Sequence, residues 1–169
     1  MRHWLRGALA FTMLAMAGAL PASAQAPKSI GSNGAWTVYE VTDSRGRVCY
    51  LASEPASQSG NYSRRDNPAV LVVRLPGKPA EYVTVHPGYP YKKDSKVKVT
   101  FEGRGFDLFT DGEHAFSFDA DDRALVDAMK RGSSMTVRGT STRGTYSLDT
   151  YSLKGFTAAI DALRAACVK

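Results

Sequence analysis

From Trp36 onward, apolar and polar residues alternate with a period of two, in short runs separated by turn formers. That pattern constrains the fold more than any other feature. A strand turns every second side chain to the same face, whereas a helix repeats every 3.6 residues. "WTVYEV" puts Trp36 and Val38 on one face and Thr37 and Tyr39 on the other. The turn "DSRG", with Gly46 able to take positive φ, leads back into "RVCYLAS" as a hairpin. "AVLVVRL", bounded by Pro68 and Pro76, has the composition of a strand buried on both faces. "EYVTVH" alternates, "PGYPYKKDS" interrupts, and "KVKVTF" sends Val97, Val99 and Phe101 one way. Tight turns at "EGRG" and "DGEH" introduce "FDLFT" and "AFSF". Short strands joined in this way predict a mainly β chain, a sandwich or barrel.

Two segments change period. "DADDRALVDAMKRG" predicts a short helix near 121–131, with acids at its start, Lys130 and Arg131 at its end, and Gly132 as its C′ cap. "FTAAIDALRAAC" repeats Phe156, Ala159, Ile160, Leu163 and Cys167 at helical spacing, so a C-terminal helix should pack on the sheet. The hydroxyl-rich stretch "TSTRGTYSLDTYSLKGF" before it reads as a hairpin turn at Gly144 and a strand. Ser152 is a candidate helix cap there. The strand's faces divide Tyr146, Leu148, Thr150 and Ser152 from Ser147, Asp149, Tyr151 and Leu153.

Residues 1–24 have a different character. Arg2 and Arg6 precede the apolar run "ALAFTMLAMAGAL", Pro21 breaks it, and Ala22-Ser23-Ala24 offers a small-x-small site. This predicts a cleavable signal peptide, 1–24. The run is shorter than the ~20 residues that span a bilayer, so no transmembrane segment is expected. The chain would be periplasmic or secreted, with a flexible leader at 25–35 and a single domain at 36–169. The whole chain carries 22 basic and 16 acidic residues, and loss of Arg2 and Arg6 leaves a formal +4. An exported basic protein meets anionic glycans, headgroups and acidic proteins, so no nucleic acid is expected as a partner. In an oxidising compartment, Cys49 and Cys167, the two cysteines of the chain, should pair as a disulfide.

Candidate chemistry is sparse. A serine nucleophile needs a base and an oxyanion site, and no Gly-x-Ser-x-Gly elbow is present. Asp119, Asp121 and Asp122 lack the spacing of a calcium loop and suit a helix N-terminus. His86 and His114 lack metal-pair spacing and count as ordinary polar residues unless the fold brings them together. No catalytic residue, cofactor or metal is expected. Two basic and aromatic clusters remain: Arg64 and Arg65 in the long polar loop 54–68, and Tyr89, Tyr91, Lys92 and Lys93 in "GYPYKKDS". Cations beside aromatic rings can grip an anionic envelope or host-surface component; the alternative, which the residues favour, is a solvated loop with its tyrosines packed over the sandwich edge.

The motifs "GAWTVY", "VCYLAS", "GYPYKKDSKVKV", "FDLFTDGEHAFSF", "LVDAMKRGSSMTVRGTSTRGT" and "DTYSLKGFTAAIDALRAAC" occur in this order along the chain. In them the sequence resembles the invasion-associated locus B family of exported bacterial proteins. The resemblance implies an immunoglobulin-like β-sandwich with accessory helices, exported to the envelope or beyond, with a role in host-cell entry for some members. It supplies no catalytic residues. The expected function is that of a non-enzymatic binding module. The alternatives are an envelope-polymer hydrolase, or a structural or stress-related envelope protein without a dedicated ligand.

Overall fold

The structure, a computed structural model, describes residues 26–44 and 46–167. The expected signal peptide lies outside them. Among the described residues, eleven strands and two helices form a mainly β fold. The strands are β1 (Lys28–Asn33), β2 (Trp36–Asp43), β3 (Gly46–Ser53), β4 (Ser57–Gly60), β5 (Ala69–Arg74) and β6 (Tyr82–His86). They continue with β7 (Lys96–Phe101), β8 (Arg104–Asp111), β9 (His114–Phe116), β10 (Ser134–Thr140) and β11 (Tyr146–Ser152). Helix α1 (Asp122–Arg131) precedes β10, and α2 (Phe156–Ala166) follows β11.

All eleven strands belong to one antiparallel hydrogen-bonded ladder, in the order β1-β2-β3-β5-β6-β9-β8-β7-β10-β11-β4. The inward residues of both halves of this ladder meet in one core: Val38, Leu51, Val72 and Val83 from one half, Val97, Leu108, Met135 and Tyr151 from the other. The alternation sets which side chains go inward. In β7, Val97, Val99 and Phe101 are buried while Lys96, Lys98 and Thr100 are exposed. In β11, Ser147, Asp149 and Tyr151 are buried and Leu148 is exposed.

Helix α2 lies on β1, β2 and β3 through Phe156, Ala159, Ile160 and Leu163, all buried. The Phe156 ring meets Trp36 edge to face, with centroids 4.9 Å apart. The Trp36 indole N–H donates to the Ser152 carbonyl at 3.0 Å, tying β2 to the end of β11. Below this contact the β1–β2 turn and the β11–α2 turn touch backbone to backbone. Gly34 and Gly155 both have positive φ, and a Cβ on either would run into the other turn. Only glycine fits both demands at once.

At the far end of α2, Cys167 bonds Cys49 of β3, with Cα atoms 6.2 Å apart, inside the range that the bond requires. Arg164 of α2 sends Nε and Nη2 to the buried Glu81 carboxylate at 3.0 and 2.9 Å, and Arg74 adds Nη1 at 2.6 Å. Burial pushes the Glu81 carboxyl up, but the hydrogen bonds and charge of Arg164, a backbone hydrogen bond and Arg74 outweigh it, so it sits below its ordinary range.

Four local expectations change. The leader expected at 25–35 contains β1, which pairs with β2 from Lys28↔Glu40 to Asn33↔Trp36. The loop expected at 54–68 contains β4, an edge strand on β11. Both are polar and almost wholly exposed, so they have no apolar face to create alternation. Ser152 does not cap α2; its hydroxyl accepts the Lys154 N–H at 3.2 Å, and Gly155 is the N-cap. Gly132 ends α1 in an extended conformation rather than a left-handed one.

Reducing the protein, or Cys167→Ser, should lower the melting temperature by roughly 10 °C with the far-ultraviolet β signal intact, because the bridge closes most of the domain. Equal melting temperatures with and without reductant would show that the bridge adds nothing. Glu81→Gln should destabilise the protein to urea at neutral pH. A carboxylate held below its ordinary pKa contributes stability above its unfolded-state pKa and loses it as pH falls through the folded value, so the penalty should shrink as pH is lowered through and below the ordinary carboxylate range.

Candidate functional site

A cleft of about 490 Å3 opens between three segments: 61–66 after β4, 88–90 after β6, and the β10–β11 turn at 141–145. Its floor is set by a buried ion pair. Asp149 falls on the inward face of β11, where the alternation places a charge among apolar residues. Arg65, from the loop beyond β4, meets it with both terminal nitrogens, one contact being Nη1 to Oδ2 at 2.8 Å. The same guanidinium donates to Gln58 Oε1 at 2.7 Å and the Pro87 carbonyl at 3.3 Å, and lies 4.6 Å from the Tyr62 ring centroid. Both side chains of the pair are only 2% exposed. Burial opposes the Arg65 charge, but Asp149 more than compensates and holds its pKa above the ordinary arginine value.

Tyrosines complete the floor. Tyr89 shares a hydrogen bond with Ser147 at 2.7 Å and stands edge to face with Tyr91, 5.6 Å between centroids. Both rings close over Gly139 of β10, where a Cβ would come within 2.5 Å of Tyr91 Cε1. Tyr91 and Tyr151 are buried, and neither phenol has a hydrogen-bond partner among the described residues. Burial, then neighbouring charges and phenols, pushes both well above the ordinary tyrosine pKa, so they stay neutral.

The rim differs from the floor. Arg64 and Arg143 are exposed, line the cleft, and form no ion pair with a carboxylate among the described residues. Asn61, Tyr62, Thr142 and Asp66 also line the cleft. Ser141 sits lower, its hydroxyl bonded to Thr145 Oγ1 at 2.6 Å.

Of the six residues expected to bind, Arg64, Arg65 and Tyr89 come together at this cleft. Arg65 does so as structural floor, and Tyr91 lies beneath in the core. Lys92 and Lys93 are exposed on the next turn and do not line the cleft. Sequence reasoning missed Arg143 and Tyr62, which only the approach of the 141–145 turn to the 61–66 loop makes neighbours. The readable signal was Asp149, a carboxylate on the apolar face of an alternating strand. His86 and His114 do not line the cleft, but they lie side by side elsewhere, 5.2 Å between ring centroids. Of the acids near α1, Asp121 stands at the N-cap position without a side-chain cap hydrogen bond, and Asp122, in the first turn, accepts the Ser117 hydroxyl.

Compared with protein families, residues 36–164 match the family described as Invasion associated locus B (IalB) protein. The chain belongs to the invasion-associated locus B family. Comparison with curated proteins and with solved structures gave no match. The IalB match runs from Trp36 of the core to Arg164 of the Glu81 cluster, and therefore includes every segment that builds the cleft.

Arg65→Ala should cost the IalB domain about 3–5 kcal/mol, because it leaves Asp149 buried without a counter-charge. Arg65→Met with Asp149→Leu should recover much of that loss. Urea unfolding of the single and double variants measures both, and an undiminished penalty in the double variant would show that the contact, not the charge, matters.

Proposed function

We propose that this IalB protein is an exported, non-enzymatic binding module whose cleft at 61–66, 88–90 and 141–145 takes an anionic envelope or host-surface glycan. The observation that carries this reading is the pairing of two rim guanidinia without an ion-pair partner among the described residues, Arg64 and Arg143, with the Tyr62 ring above a floor of Tyr89 and the neutralised Arg65–Asp149 pair. Guanidinia match carboxylate and sulfate geometry, and aromatic rings stack on sugar faces. The rigid floor limits the ordering cost of binding.

Binding is favoured over hydrolysis because two buried serines at the cleft are already committed. Ser147 is engaged by Tyr89 and Ser141 by Thr145, and a nucleophile would need an adjacent base instead. Export is supported by the Ala-Ser-Ala pattern at residues 22–24 and by the Cys49–Cys167 bridge, which suits an oxidising compartment. Among the described residues no helix is long and apolar enough to cross a membrane.

Heparin, as a sulfated glycan probe, should bind with an affinity that falls as salt is added. Arg64→Ala with Arg143→Ala should weaken it at least tenfold, the loss of two charge-assisted contacts, while the melting temperature stays unchanged. Lys92→Ala with Lys93→Ala should have the smaller effect of charges outside the cleft. Equal affinity for the wild type and the Arg64/Arg143 variant would remove the cleft from the reading.

A further inference from the structure

The two described histidines are far apart in sequence, yet the sheet makes them partners. β9 pairs with β6 through Thr84↔Phe116 and Val85↔Ala115, so the next pair in this antiparallel register is His86 and His114. Alternation turns both away from Val85 and Ala115, which face the core. β9 also pairs with β8, including Asp111↔His114, so His114 stands on a backbone held from both sides. Their rings lie 5.2 Å apart between centroids at an interplanar angle of 38°.

We propose that His86 and His114 chelate a divalent late first-row transition ion, of the zinc, nickel and copper class. Two imidazoles bound to one ion at M–N of about 2.0–2.1 Å and a near-tetrahedral angle have ring centroids about 5 Å apart. The observed separation agrees with that distance, and binding would turn one free nitrogen of each ring toward the same ion. The tautomer of the neutral His86 ring follows from its neighbour: its Nδ1 lies 3.1 Å from the Glu113 carbonyl oxygen. A carbonyl only accepts, so Nδ1 carries the proton and Nε2 keeps its lone pair for a metal. A ring N–H held by a backbone carbonyl is the usual outer support of a metal-bound histidine. His114 is exposed, and Phe116 flanks it at 6.0 Å between ring centroids. No third histidine, cysteine, aspartate or glutamate joins the pair among the described residues, so water fills the other positions. Imidazole donors favour copper, nickel and zinc over magnesium or calcium, and copper should bind most tightly.

The chain has three histidines, and His3 lies outside the described residues. Untagged His3→Ala protein therefore leaves His86 and His114 alone to be tested. Calorimetric titration with zinc, nickel and copper chlorides should give one ion per chain, copper tightest, and binding should weaken on acidification as protons compete for nitrogen. His86→Ala and His114→Ala should each lower affinity about a hundredfold, the loss of a two-point chelate, without changing the metal-free melting temperature. Copper bound to the parent should show imidazole nitrogen couplings in electron paramagnetic resonance. No saturable binding, or unchanged affinity in the His86→Ala/His114→Ala double variant, would overturn the proposal.

Discussion

Asp149 is a carboxylate that the β11 alternation carries to the inside of the sheet, and the arrangement of the cleft follows from the need to neutralise it. The cation comes from Arg65, in a largely polar loop whose apolar anchors are Tyr62 and the buried Pro68. A buried ion pair contributes little net stability, since desolvation cancels most of the attraction. Its effect is on uniqueness. Any other position of the 61–68 loop would leave Asp149 buried and unpaired, so the loop has one placement, with Gln58, Pro87 and Tyr62 fixed around the guanidinium. The cleft rim inherits that precision.

A second set of contacts closes the fold elsewhere. The Trp36–Phe156 contact, the Gly34–Gly155 approach, the Glu81 cluster and the disulfide all fasten α2 and its turn to the first strands. None of these residues lines the cleft. The domain is thus held by one group of interactions and presents its cleft with another, and variants on the Arg64 and Arg143 rim leave the closure untouched.

The strands legible in the sequence are those with one face in the core. Trp36, Val38, Val97, Val99 and Phe101 went where period two placed them. Both helices, and the pairing of Cys49 with Cys167, follow the expected pattern. β1 and β4 were not legible, because edge strands exposed on both faces are specified by backbone hydrogen bonds, which leave no hydrophobic signature. The cleft was half legible. "YSRR" and "GYPY" announced basic and aromatic groups, but sequence gives Arg64 and Arg65 the same weight. Only the fold shows that Arg65 is neutralised within and Arg64 is not. Likewise the nearness of His86 to His114 depends on β9 lying beside β6 in the ladder, a non-local pairing that their spacing does not encode.

The same sorting applies to the net positive charge. Arg65 is consumed by Asp149, and Arg74 and Arg164 by Glu81. Lys96 and Lys98 both reach Asp107, whose carboxyl they hold below its ordinary range, Lys98 foremost. Arg104 and Arg138 lie over the rings of Phe106 and Tyr146. These cations serve the fold or are partly spent on its surface. Among the described residues Arg64 and Arg143 have no such internal partner, and they stand on one rim, beside rings that can stack and amides and hydroxyls that can donate. A long-range field from the whole chain would attract any polyanion, whatever its shape. A pair of guanidinia on the rim of a fixed cleft would select by geometry as well as by charge, which is why the proposed binding is assigned to the cleft rather than to the net charge.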